Sequence, residues 1–92
     1  MSNWSQIMYR DFFDVPRMVV ARRGDEMFLF YSRFDESADY HTDHYEVWVM
    51  PLLSEQQLEG SWDGLEGLAL DQLPNIGLRD LPFSVPRRGV HA

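Results

Sequence analysis

The sequence predicts a mainly β domain with short helices: an antiparallel meander forming a small, partly open SH3-like barrel, with an α+β two-layer sandwich as the alternative. Two runs rich in β-branched and aromatic residues, Arg17–Arg22 and Met27–Arg33, flank Arg23-Gly24-Asp25, and Gly and Asp tolerate the backbone of a tight hairpin turn. A third run, Tyr45–Met50, follows an acidic connection from Asp35 to Asp43. All three runs are apolar on both faces, whereas a sheet with one wet face alternates apolar and polar residues. Both sides of the meander therefore need cover, from the N-terminal segment, the C-terminal half or another subunit.

Taken in order, residues 1–15 are ambiguous. Trp4, Ile7, Met8 and Phe12 have helical spacing, while Tyr9, Asp11 and Phe13 alternate as in a strand. A short extended segment covering the sheet is expected, ended by Pro16, since the residue before proline avoids helical angles. The first strand then turns Met18 and Val20 to one side, Val19 and Ala21 to the other. The second turns Phe28, Phe30 and Ser32 one way, Met27, Leu29 and Tyr31 the other; the third splits Tyr45, Val47 and Val49 from Glu46, Trp48 and Met50. The charged tip from Arg22 to Glu26 must be exposed.

Beyond the meander, Ser54-Glu55-Gln56-Gln57 fits a capping box, Leu53 and Leu58 occupy the positions of a hydrophobic staple, and Gly60 is a stop signal. A helix of one or two turns is predicted. Ser61 to Leu73 reads as a second helix with the stripe Leu65, Leu68, Ala69 and Leu73, weakened by Gly64 and Gly67 at about 1 kcal/mol each and ended by Pro74. Ile76–Arg79 and Leu81–Val85 read as short extended pieces, and Pro82 suits a sheet edge. The tail, 87–92, is expected to fray. The whole chain, 1–92, reads as one domain.

Charge is unevenly placed. Residues 35–80 hold eleven carboxylates against one arginine, a net of −10, whereas residues 1–34 hold five arginines against four carboxylates. Such a segment repels phosphate backbones and anionic lipid surfaces, which argues against nucleic acid and membrane as partners and favours a basic protein surface. The absence of cysteine excludes a disulfide scaffold, a thiol nucleophile and any Cys-type metal site. With neither a signal-peptide pattern nor a bilayer-length apolar run, a cytoplasmic location is expected.

The densest chemistry lies at 35–46. Asp35, Glu36, Asp39, Tyr40 and Asp43, with Trp62 beyond the capped helix, are the candidate partner-binding residues, because carboxylates attract a basic surface and tryptophan is enriched at interface hot spots. His41 and His44 are weak candidates for a divalent metal, since imidazoles and carboxylates are its ligands; a solvated loop is the favoured reading, and no metal or other cofactor is expected. Trp48, Tyr31 and Tyr45 read as core rather than as a platform for bases. No nucleophile elbow and no phosphate-binding glycine loop occurs, so the chain is not expected to be an enzyme. The functional expectation is an acidic interaction module, of inhibitor or immunity type for a basic partner. The alternatives are a small-ligand or metal-binding domain using the 35–46 loop, and a self-associating structural protein.

Overall fold

The computed structural model describes residues 4–13, 15–32, 34–35, 40–41 and 44–83; for residues 6, 7, 11–13, 34, 35, 40 and 41 the backbone alone is described. The strands are β1 (Trp4–Phe13), β2 (Val15–Arg23), β3 (Glu26–Tyr31), β4 (Phe34–Asp35), β5 (Tyr40–His41), β6 (His44–Met50) and β7 (Asp71–Gly77). Five of them form one antiparallel sheet in the order β1-β2-β3-β6-β7, and β4 and β5 form a separate two-stranded ladder between β3 and β6. The mainly antiparallel β class is thus as predicted. Among the described residues the sheet is open, with β1 and β7 at its two ends, and the expected barrel closure is not found.

The meander at the centre follows the predicted division of its side chains between two faces. Val19 faces Phe30 across β2 and β3, and Phe28 faces Val49 across β3 and β6. The β2–β3 turn is closed by the Arg23–Glu26 pair around Gly24 and Asp25. Gly24 has φ +60°, a left-handed geometry that costs glycine nothing.

Residues 4–13 differ from expectation. They are not a cover for the sheet but its first strand, paired with β2 along nearly their whole length. The mixed periodicity has a structural cause. Gln6 faces Ala21 and Met8 faces Val20, so Ile7 is an extra residue and the strand changes face there. Trp4 packs on one side of the sheet and Met8 on the other.

Two cores result, one on each face. On the first, Met18, Val20, Met27, Leu29 and Met50 meet Leu53, Trp62 and Leu65 from the connection between β6 and β7. On the second, Val19, Ala21, Phe28, Phe30, Tyr45 and Val47 are covered by Trp4, Ile76, Leu78, Leu81 and Phe83. Both covers come from within the chain, which answers the demand set by two-sided strands. Complete burial of Leu29 and Phe30 is worth about 1.5–3 kcal/mol per side chain.

The cover on the first face begins with α1 (Glu55–Glu59). Its capping box is formed as predicted: the Gln57 N–H donates to Ser54 Oγ at 3.2 Å, and the Ser54 N–H to Gln57 Oε1 at 2.9 Å. Leu53 and Leu58 both reach the first core.

The expected second helix over 61–73 is corrected to a single 3-10 turn, Leu65–Leu68. Gly64 enters it at φ +73°, which breaks helical continuity, and the Leu70 N–H donates to Val49 O at 2.7 Å. From there Asp71–Leu73 pair with β6. Sheet pairing has overridden a weak helical stripe. Pro74 lies inside β7, not after a helix. Tyr45 faces Ile76 and Val47 faces Leu73, so β7 carries an extra residue between those pairs, and an edge strand tolerates proline there. The two extended pieces expected after Asn75 are corrected as well: Ile76 and Gly77 end β7, Leu78–Asp80 form a 3-10 turn, and Ser84 and Val85 lie outside the described residues.

Candidate functional site

The acidic connection is partly in view. β4 and β5 place Asp35 opposite Tyr40 and Phe34 opposite His41. Glu36, Asp39 and Asp43 lie outside the described residues, as does the tail 87–92. His44 opens β6, exposed and facing Gly77 of β7. Among the described residues no group of three or more histidines and carboxylates converges as metal ligands would.

Trp62 belongs to the first core. It is 3% exposed within the first core, and its Nε1–H donates to Leu58 O at 2.9 Å. The Arg10 guanidinium lies 4.8 Å from its ring centroid. Tyr31 and Trp48 pack half-buried against the first core while Tyr45 is buried in the second, so these three rings share no platform.

What the folding of 51–70 creates is an acidic outer layer. The stretch contains Glu55, Glu59, Asp63 and Glu66 and no basic residue. Glu55, Glu59 and Asp63 are exposed, and among the described residues neither ion pair involves them; both pairs, Arg22–Asp25 and Arg23–Glu26, are at the hairpin tip. Three leucines of the same stretch are also exposed: Leu52 at 66%, Leu68 at 47% and Leu70 at 70%. Leu52 also edges a cleft of about 900 Å³ running between α1 and the hairpin tip, with Met27, Leu53 and Leu58 inside it and Glu55 and Arg22 at its sides. Scattered single leucines are ordinary on a protein surface; these three share the stretch 51–70 with the exposed Glu55, Glu59 and Asp63, which gives the stretch both apolar and electrostatic character.

This layer is fixed to the sheet by Arg10. From β1 its Nη1 donates to Gly60 O at 2.6 Å and its Nη2 to Leu58 O at 2.7 Å. α1 has no base in its last turn, so a distant arginine supplies the positive charge that the helix C-terminus favours. Sequence reasoning passed over Arg10, and its only local signal is that missing base. The exposed leucines were also missed. Leu70 falls outside the predicted stripe at 65, 68, 69 and 73, which is the one hint that it faces water.

The second face holds a cavity of about 430 Å³ lined by Trp4, Phe28, Phe30, Val47, Leu73 and Ile76, with Arg23 and Asp80 also in its wall. The Arg23 guanidinium lies 5.1 Å from the Trp4 ring centroid and 5.3 Å from that of Phe28. At the far end of the same face, Arg17, Ser32 and Tyr45 form a buried polar row. Arg17 Nη1 donates to Ser32 Oγ at 3.2 Å, and Tyr45 Oη donates to Pro16 O at 2.6 Å. Buried polar groups of this kind are tolerated because they are hydrogen-bonded.

The class of protein defined by these observations is a small β domain: one open antiparallel sheet covered on both faces, with an acidic layer over one of them. Comparison with family models, curated proteins and solved structures finds no match. No helix among the described residues is long and apolar enough to cross a membrane.

Proposed function

We propose that the chain is a non-enzymatic interaction module whose acidic surface receives a basic protein partner, in the manner of an inhibitor or immunity protein. The observation that carries this reading is the layer at 51–70, with Glu55, Glu59 and Asp63 exposed, no base in the stretch, and Leu52, Leu68 and Leu70 exposed as well. Asp35 and Tyr40, paired in the β4–β5 ladder, extend the acidic sequence segment, as do Glu36, Asp39 and Asp43. Like-charged fields of this sort steer encounter with an oppositely charged surface, and the leucines supply the apolar contact that outlasts screening.

The test is capture from an extract of the source organism on the immobilised chain, with a Glu55→Lys/Glu59→Lys/Asp63→Lys variant alongside. A basic protein held at low salt, weakened at about 0.5 M salt where the screening length is roughly 4 Å, and not held by the variant supports the reading. A partner retained equally by both chains at both salts removes the electrostatic basis. A second reading, binding of a small apolar ligand, is favoured by the cavity beside Trp4, whose volume of about 430 Å³ falls within the range of ligand pockets.

A further inference from the structure

The cavity on the second face is built by the sheet itself. Its aromatic wall is Trp4, Phe28 and Phe30. The Trp4 ring lies 5.0 Å from Phe28 and 5.7 Å from Phe30, centroid to centroid, tilted against the first and edge-on to the second. The facing wall comes from β7. Leu73 and Pro74 are neighbours in sequence, yet both line the cavity. A regular strand turns successive side chains to opposite faces, and the extra residue of β7 accounts for both reaching one wall. The described lining is apolar with two charged exceptions, Arg23 and Asp80. The acidic layer covers the other face of the sheet and contributes no residue to it.

The two charged side chains select the ligand. Register places Arg23 there, since it stands directly opposite Trp4 at the end of β2. Its guanidinium carbon lies 5.1 Å from the Trp4 ring centroid and 5.3 Å from that of Phe28. Contacts of this kind use the face of the guanidinium and leave the N–H groups at its edge to donate. One of those donors reaches Glu26 Oε1 at 3.4 Å, with both side chains about half exposed, so water competes for that pair. A forked donor held by two rings at the edge of an apolar cavity matches the two oxygens of a carboxylate. Asp80 is exposed, and neither ion pair among the described residues orients it, so it is the poorer anchor for an amine. It does repel a second negative charge, which disfavours a dianion such as a phosphate monoester.

We propose that the cavity takes a small aromatic monocarboxylate, with its ring system against Trp4, Phe28 and Phe30 and its carboxylate on the Arg23 guanidinium. A volume of about 430 Å³ lies at the small end of ligand pockets and suits a body of about two fused rings. This assignment rests on the small-ligand reading above and names its ligand class. It uses no residue of the acidic layer, so it stands or falls separately from the interaction-module reading.

Titration with naphthoate, followed by NMR of the tryptophan indole N–H signals, tests it. The Trp4 signal is expected to shift saturably at millimolar naphthoate or below, while that of Trp62, whose Nε1–H is bonded to Leu58 O in the first core, stays in place. Arg23→Gln is expected to weaken naphthoate at least roughly tenfold and to leave neutral naphthol within about twofold. Glu26→Gln, which releases the guanidinium from its carboxylate, is expected to tighten naphthoate roughly twofold, and it replaces Arg23→Gln should that variant fail to fold by circular dichroism. Naphthylmethylamine and naphthyl phosphate are expected to bind more weakly than naphthoate. If no probe moves the Trp4 signal at millimolar concentration, the small-ligand reading falls together with this one. Naphthol, the amine or the phosphate bound as tightly as naphthoate, or naphthoate binding indifferent to these substitutions, overturns the carboxylate assignment alone.

Discussion

Replacing Arg10 by alanine is expected to loosen the acidic layer from the sheet. The guanidinium makes two hydrogen bonds to carbonyls, one exposed at 2.6 Å and one part-buried at 2.7 Å, and lies 4.8 Å from the Trp62 ring centroid. A charged donor to a buried acceptor contributes about 1.5–3 kcal/mol, but partial exposure and competing water reduce this to about 1 kcal/mol for the part-buried bond and about half of that for the exposed one. A half-buried cation against the buried Trp62 ring adds about 0.5–1 kcal/mol. Arg10→Ala should therefore destabilise by about 2 kcal/mol, which for a domain of this size lowers Tm by about 8–16 °C. Arg10→Lys keeps the charge but has no fork to bridge two carbonyls, so about half the loss should remain. Circular dichroism melts give the total, and hydrogen exchange within α1 locates it. Loss confined to α1 with an unchanged sheet is the expected exchange pattern. Melting of Arg10→Ala within about 2 °C of the parent, or a lysine variant as stable as the parent, would show that the contact is incidental.

Substitutions at four further positions separate local effects. Ser54→Ala removes half of the capping box and should cost about 1 kcal/mol, read as a Tm loss of about 4–8 °C. Gly24→Ala forces a side chain into a left-handed turn at φ +60° and should cost about 1 kcal/mol although nothing lies within 4 Å of the added carbon, whereas Gly24→Asn should be nearly neutral in the same melts. Gly67→Ala, also into open space but without a positive φ, should leave Tm unchanged or raise it slightly. Tyr45→Phe strips a buried donor from Pro16 O and should cost about 1–2 kcal/mol in urea unfolding, with an unchanged m-value if the second core stays packed.

The meander was legible because its information is local. Gly24-Asp25 set the turn, period-two patterning set the faces, and apolar residues on both sides required two covers. The capped helix was legible for the same reason, since Ser54 and Gln57 satisfy each other without help from elsewhere. The errors fall where distant groups decide. Residues 4–13 carry helical spacing and strand alternation at once because the extra residue at Ile7 shifts the phase midway, and no single period describes a strand that changes face. Residues 71–73 lose their helical stripe because β6 offers a free edge, and Val49 O captures the Leu70 N–H before a helix can use it. The acidic segment was visible as composition. That the layer at 51–70 lies over the first core, and that Trp62 is spent inside it, depends on contacts with β1 some fifty residues away.

Those contacts also decide where the arginines of residues 1–34 are engaged. Of the five arginines in residues 1–34, Arg10 is occupied by two helix carbonyls and Arg17 is buried beside Ser32. Arg22 and Arg23 lie at the hairpin tip, 4.0 Å from Asp25 and 3.4 Å from Glu26. None of these four neutralises Glu55, Glu59 or Asp63, although Arg10 reaches the end of the helix that carries two of them. Its guanidinium is drawn to the C-terminal carbonyls and the Trp62 ring, which hold it in one orientation more firmly than a mobile surface carboxylate would. Four of the five arginines in residues 1–34 thus have partners other than Glu55, Glu59 and Asp63, and those three carboxylates stay exposed. The sign of the field at the 51–70 layer bears on the proposed function more than any single side chain does, because a negative layer favours approach by a basic surface over an acidic one.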